Sequence, residues 1–165
     1  MKSGHCWVLT DPENQPSSVI YLRITHWRTR KTYAYLAVKE GQEKAFGISN
    51  SASVVASGFF DSIGLFRKCN ARQIHLAEKL LDIVRIPHLK NRSFLNVSSG
   101  EQRLVLFARA IIKNPELLIL DEPFHGLDEH HKKGCAAIVE SFARQAGKSL
   151  IHVTHRKEEI PSCID

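Results

Sequence analysis

The sequence contains no uninterrupted apolar run of about 18 residues, the length a bilayer-spanning helix needs. No transmembrane segment is therefore expected. Met1-Lys2-Ser3-Gly4-His5-Cys6 also lacks the continuous apolar stretch of a secretory signal, so the expected location is cytoplasmic. The four cysteines (Cys6, Cys69, Cys135 and Cys163) show no C-x-x-C spacing, which argues against both a zinc site and a disulfide framework. The net charge of +6 is not gathered into a basic stripe, and no aromatic-interleaved basic motif accompanies it. Nucleic acid is not an expected partner. What remains is a soluble chain of 165 residues, enough for one domain with a core.

Two compositional regimes meet near residue 53. From Ser53 onward, caps and breakers alternate with apolar patterns. Asn70 can cap a helix through roughly Lys79 to Val84, with Leu76, Leu80, Leu81 and Ile83 as its apolar face and Pro87 as its stop. Ser98 and Ser99 can cap a second helix from Glu101 to Lys113, burying Leu104, Leu106, Phe107, Ile111 and Ile112. Asn114-Pro115 ends that helix and leads into an aliphatic strand, Leu117 to Asp121. A third helix is expected from about Glu129 to Gln145, with Gly147 as its C-cap, and a second strand over Leu150 to Thr154. Strand, helix, strand in this order is a βαβ crossover, which implies parallel strands joined with a right-handed connection. Residues 1–52 show strand-like pieces at Val19 to Leu22 and Tyr33 to Val38, but no caps and no clear period.

Leu117-Leu118-Ile119-Leu120-Asp121-Glu122-Pro123 delivers two adjacent carboxylates at the tip of a buried strand, and open α/β sheets bind ligands at such tips. One helix earlier, Val97-Ser98-Ser99-Gly100-Glu101 is a small-residue turn opening a helix, where hydroxyls, free backbone N–H groups and the helix dipole converge on an anion-sized spot. Taken alone it would be an ordinary cap. Gly126-Leu127-Asp128 would by itself be an ordinary turn, and His155 after the second strand a structural histidine.

In this order and spacing, the set resembles the ATP-binding cassette (ABC) ATPase family, over about residues 54–165. The resemblance implies an α/β P-loop NTPase fragment: a helical signature subdomain plus part of the parallel core sheet, with the P-loop region missing. It makes Leu117 to Asp121 the Walker B strand, with Asp121 holding Mg²⁺ through its water shell and Glu122 polarising the attacking water. Ser98, Ser99, Gly100 and Glu101 match the signature loop, which in the family closes over the γ-phosphate of ATP held by a partner cassette. Asp128 falls in the D-loop, and His155 matches the switch histidine that reaches the γ-phosphate. ATP and Mg²⁺ are the implied cofactors. A second cassette is the implied partner, with membrane permease subunits beyond it. Ser57 to Gly64 and the segment from Thr154 to Ile164 look most like the second cassette of tandem-cassette, molybdate-transport-type proteins.

The departures are specific. Ser99 stands where the family has glycine, Glu101 where it has glutamine, and no Q-loop precedes the helical segment. No G-x-x-x-x-G-K-S/T loop occurs; Gly147-Lys148-Ser149 fails that pattern because Phe142 stands where glycine is needed. Binding of ATP by this chain's own site should be severely impaired, and a fragment with an open sheet edge should fold weakly alone. Three functions remain: an ATPase domain driving transport, an inactive fragment, or a binding module lending Ser98 to Glu101 to another cassette.

The missing loop has a candidate source. Hidden codons formed from the third base of one codon and the first two of the next force glycine at Trp7-Val8. They permit G-P-N-G-S-G-K-S-T-L through Ser17 and R-G-S-G-E-S-I-W-D-I from Lys39 to Ser49. The expectation is that residues 1–52 are a non-family segment, either an out-of-frame reading or a genuine segment of another kind, and that the resemblance makes 53–165 the C-terminal part of an ABC ATPase domain.

Overall fold

The computed structural model describes residues 5–9, 33–37, 49–60 and 68–160. Four five-residue strands form one fully parallel sheet: β1 (His5–Leu9), β2 (Tyr33–Ala37), β3 (Leu117–Asp121) and β4 (Ser149–Val153). Their spatial order is β1-β4-β3-β2. At one end of the sheet, Leu9 and Asp121 flank Val153 from its two sides, and Ala37 pairs with Asp121. The expected strand over Leu117 to Asp121 is observed with those bounds, and the second lies one residue earlier than Leu150 to Thr154. The edge strand β2 falls on the strand-like piece expected at Tyr33 to Val38, one residue shorter, whereas the edge strand β1 was not expected from sequence. A five-residue strand with no turn signal beside it leaves little in a sequence to detect. The expected strand at Val19 to Leu22 lies outside the described residues.

Four helices are described: α1 (Ser51–Ala56), α2 (Ala71–Ile83), α3 (Ser99–Ile111) and α4 (Glu129–Ala143). Each starts at a side-chain cap. Asn50 Oδ1 accepts from Ser53 N at 2.9 Å, and Asn70 and Gln73 form a reciprocal capping box at 2.9 Å each way. Helix α4 joins β3 to β4, completing the parallel crossover expected from the sequence.

The apolar faces of two helices differ from expectation. On α2, Ala77 and Leu81 are buried, while Leu76 and Ile83 are 42% and 59% exposed. The buried stripe is narrow and runs i, i+4, because α1 covers only that side. On α3, burial is nearly continuous from Leu104 to Ala108, with Ile111 and Ile112 only partly covered. Helix α3 lies between the helical layer and the sheet, so almost its whole middle is enclosed.

Helix α4 ends at Ala143, with Arg144 as C-cap, so Gly147 is not the cap. At φ 79° it makes the turn into β4. Asn114, at φ 51°, ends the α3 region in the left-handed conformation before Pro115, as its type allows. Helix α1 continues into a 3₁₀ turn, Ser57–Phe60, where Gly58 abuts α3: a methyl there would lie 2.3 Å from the Arg109 carbonyl oxygen. One core runs through the fold and includes Val54, Leu81, Phe94, Phe107, Leu118, Leu120, Val139 and Leu150.

Candidate functional site

Asp121 is the last residue of β3, and Glu122 begins the turn beyond it. Glu122 has φ 47°, a left-handed conformation unusual for a residue with a side chain. Its backbone is held from two sides. Glu122 N donates to the Val153 carbonyl at 2.9 Å, and the Arg103 guanidinium on α3 donates to the Glu122 carbonyl at 2.6 Å. Arg103 is half-buried, and that burial lowers its pKa from the usual arginine value. Strand, helix and turn are therefore locked together at this position.

The Glu122 carboxylate is divided between two environments. Oε1 accepts from His155 N at 3.0 Å and lies 2.7 Å from His155 Nδ1. Oε2 is buried and has no hydrogen-bond partner among the described residues. A buried carboxylate oxygen without a donor is costly, which suits a group that acts on water or a ligand proton rather than one that only braces the fold. His155 itself is exposed.

His152, in register with Leu120, is fully buried, and its ring lies 5.5 Å from that of Phe124. Burial pushes its pKa down to about 4 against the opposing pull of the Glu122 charge. It is a neutral packing group.

Beyond β4, Thr154 Oγ1 donates to Glu159 Oε2 at 3.2 Å and accepts from Arg156 N at 3.1 Å. Lys132 Nζ reaches within 3.4 Å of Glu159 Oε1, an ion pair by distance whose alignment falls short of a hydrogen bond. This small network ties α4 to the segment carrying His155.

The Ser98 turn is a capping box. Glu101 N donates to Ser98 Oγ at 3.3 Å, while Glu101 Oε2 accepts from Ser98 N and from Ser98 Oγ at 2.9 Å each. His88 Nε2 sits 3.2 Å from the other carboxylate oxygen. The backbone bond from Ser98, with lesser help from His88, holds the Glu101 carboxyl below the usual glutamate range. Ser98 and Ser99 are exposed. Gly100 packs against the loop before α4: a methyl there would lie 3.3 Å from the Gly126 carbonyl oxygen. Asp128 caps α4, its Oδ1 accepting from His131 N at 2.9 Å and its Oδ2 lying 2.7 Å from His131 Nδ1. The bond from His131 N holds its carboxyl low.

The sequence-selected residues thus form two groups. Asp121, Glu122 and His155 meet at one end of the sheet, and Ser98 to Glu101 pack beside Gly126 and Leu127. No hydrogen bond among the described residues joins Ser98 to Glu101 with Glu122 or His155. Arg103, His88 and His131 were not singled out from sequence. Arg103 follows the signature-like turn, but only the fold shows that it reaches Glu122.

The family model described as ABC transporter matches residues 8–125. This chain belongs to the ABC transporter ATP-binding family. It is 35% identical over 142 residues to the ABC transporter ATP-binding protein ModF of Escherichia coli K12, a match covering 85% of this chain and 29% of ModF. It is 32% identical over 125 residues to the uncharacterized ABC transporter ATP-binding protein YlmA of Bacillus subtilis, covering 75% of this chain and 47% of YlmA. The chain therefore spans about a third to a half of these relatives.

Among solved structures, an inward-facing metal-chelate type ABC transporter matches with a TM-score of 0.70 at 20% identity, over 99% of this chain and 68% of that one. A dimeric bacterial ABC transporter cassette matches with a TM-score of 0.64 at 20% identity, over 79% of this chain and 55% of that one. The likeness in fold extends the family assignment to the sheet and helices described above, and the P-loop NTPase fold expected from the sequence is observed. No helix among the described residues is long and apolar enough to cross a membrane.

Proposed function

We propose that this chain is part of an ABC ATPase whose surviving machinery serves hydrolysis, and that its signature turn acts on ATP held by a second cassette. The observation that carries this reading is the Glu122–His155 pair, 2.7 Å apart, beside Asp121 at the carboxyl end of a parallel sheet. Glu122 orients the attacking water in line, and His155 steadies that carboxylate and reaches the γ-phosphate. Phosphoryl transfer is mostly positioning and charge stabilisation, so these groups suffice once a nucleotide is held.

Mg²⁺ fits Asp121 chemically, because a hard carboxylate oxygen plus phosphates and waters meets its needs. No cluster of three metal-ligating side chains occurs among the described residues. Bound there, Mg²⁺ would neutralise developing phosphate charge.

The chain's own nucleotide site is impaired, since its sequence offers no lysine-bearing phosphate loop. Its partner is a second cassette, in a homodimer or a tandem chain, working on the cytoplasmic face against permease subunits. Support for a dimer comes from the dimeric cassette of the same fold, also solved in a post-hydrolysis state with ADP and Pi. The resemblance to molybdate-type cassettes makes molybdate the proposed cargo. Other relatives are named for importing Fe(3+) ions or spermidine and putrescine.

The test is ATP hydrolysis by the purified chain alone and mixed with an intact cassette whose signature serine has been replaced. The expected result is no turnover alone and restored turnover on mixing. Turnover by the chain alone would refute the impaired site, and no restoration would refute the trans role.

A further inference from the structure

Strand β1 raises a question that the family assignment leaves open. It runs parallel to β4 and ends at Leu9, level with Val153 and Asp121. The chain after Leu9 thus leaves the sheet at the end where Glu122 N binds the Val153 carbonyl. A phosphate loop belongs there, because such loops connect a parallel strand to a helix at the carboxyl edge of the sheet. The translated residues that follow, Thr10-Asp11-Pro12-Glu13-Asn14-Gln15-Pro16-Ser17, contain no glycine and no lysine.

We propose that the gene encodes a nucleoside-triphosphate-binding loop at this place in another reading frame, and that translation leaves that frame within β1 and returns to it near codon 50. The hidden frame starts where the strand can use it. Trp7 has a single codon, TGG, and every valine codon begins GT, so the junction must read GGT, glycine. From there the code permits G-P-N-G-S-G-K-S-T-L through Ser17, which satisfies G-x-x-x-x-G-K-S/T without a gap. The choices are narrow where they matter: Glu13-Asn14 allows only lysine or glutamate, and Asn14-Gln15 only serine or proline.

Physically, the hidden peptide supplies what the translated one lacks: glycines that let backbone N–H groups close round phosphates, and a lysine for the terminal phosphates. It would emerge beside Asp121 and Glu122. The inference is independent of the trans role, since it concerns this chain's own site.

The first experiment is to read the coding DNA. The expected codons are CCG for Pro12, GAA for Glu13 and AAT for Asn14, which spell the hidden glycine, lysine and serine. Any other proline codon, GAG for Glu13 or AAC for Asn14 overturns the proposal. The second is to insert one base before codon 7 and delete one after codon 49, which restores the frame at unchanged length, and to titrate both proteins with ATP. The restored chain is expected to bind ATP at least tenfold more tightly, and alanine in place of the hidden lysine to abolish the gain. Equal binding by a folded restored chain overturns the assigned ligand. If the restored chain does not fold, grafting only codons 7–17 of the hidden frame provides the same comparison, judged by the same criterion.

Discussion

Nδ1 of His155 lies 2.7 Å from Oε1 of Glu122, and the same oxygen accepts the backbone N–H of His155 at 3.0 Å. The turn that presents this carboxylate is strained, with Glu122 at φ 47°. A residue with a Cβ costs about 1–2 kcal/mol there, whereas glycine costs little. Glu122→Ala and Glu122→Gly both remove the two bonds to His155, but only the glycine relieves the backbone. Glu122→Gly should therefore be the more stable of the two, by about 1 kcal/mol, reversing their usual ranking. Urea midpoints of the two variants measure this. An equal or higher midpoint for the alanine variant would show that the turn is not left-handed in solution.

Gly58 provides a test of the packing between the 3₁₀ turn and α3. A methyl on it would meet the Arg109 carbonyl oxygen at 2.3 Å and Ile112 Cγ2 at 2.7 Å. The first obstacle is backbone and cannot rotate away. Overpacking of this kind costs about 1–3 kcal/mol, so Gly58→Ala should lower the thermal midpoint by several degrees. Gly100→Ala, facing the Gly126 carbonyl oxygen at 3.3 Å, should cost distinctly less. Equal losses in the two variants would count against the close approach at Gly58.

Much of this site was legible in the sequence because its parts are local. Asp121 and Glu122 end an aliphatic run whose strand bounds are the observed ones, and Ser98 announces itself as a cap by residue type. Other features depended on contacts distant in sequence. Arg103 lies 19 residues from the carbonyl it holds, and Gly58 about 50 from the backbone it touches. The burial of α2 through Ala77 and Leu81, rather than Leu76 and Ile83, depends on where α1 docks. Periodicity shows that a helix has an apolar face, but its partner decides which part is covered.

His152 makes stability depend on pH. Its folded pKa is about 4, pushed down by burial, against roughly 6.5 in an unfolded chain. Above that unfolded value both states are neutral here, and the residue contributes no slope. As the pH falls from there toward about 4, the unfolded state binds a proton that the folded state refuses. Stability is lost at up to about 1.4 kcal/mol per pH unit, roughly 3 kcal/mol over the window. In His152→Phe, where an apolar ring replaces the imidazole beside Phe124, that slope should vanish between pH 6.5 and 4. Denaturant midpoints across this range decide it. Parallel pH profiles for the two proteins would mean that His152 is reached by water.

Glu101 bears on the trans role most directly. The Ser98 hydroxyl, which the family resemblance assigns to a partner's γ-phosphate, donates in this chain to Glu101 Oε2 at 2.9 Å. An incoming phosphate must displace that bond and approach a carboxylate held ionised by Ser98 N and His88. Glu101→Gln removes the charge but keeps the shape, since capping boxes accept glutamine in the same place; α3 should melt within about 0.5 kcal/mol of the unsubstituted chain. Two unit charges about 4 Å apart near a surface repel by about 1–4 kcal/mol, so relieving them should tighten ATP-dependent association with an intact cassette tenfold or more. Ser98→Ala should abolish that gain in the Glu101→Gln background, because the hydroxyl is the group released. If Glu101→Gln associates no more tightly, its carboxylate does not face the phosphate. If the gain survives loss of the serine, the phosphate is met by other groups at the helix start.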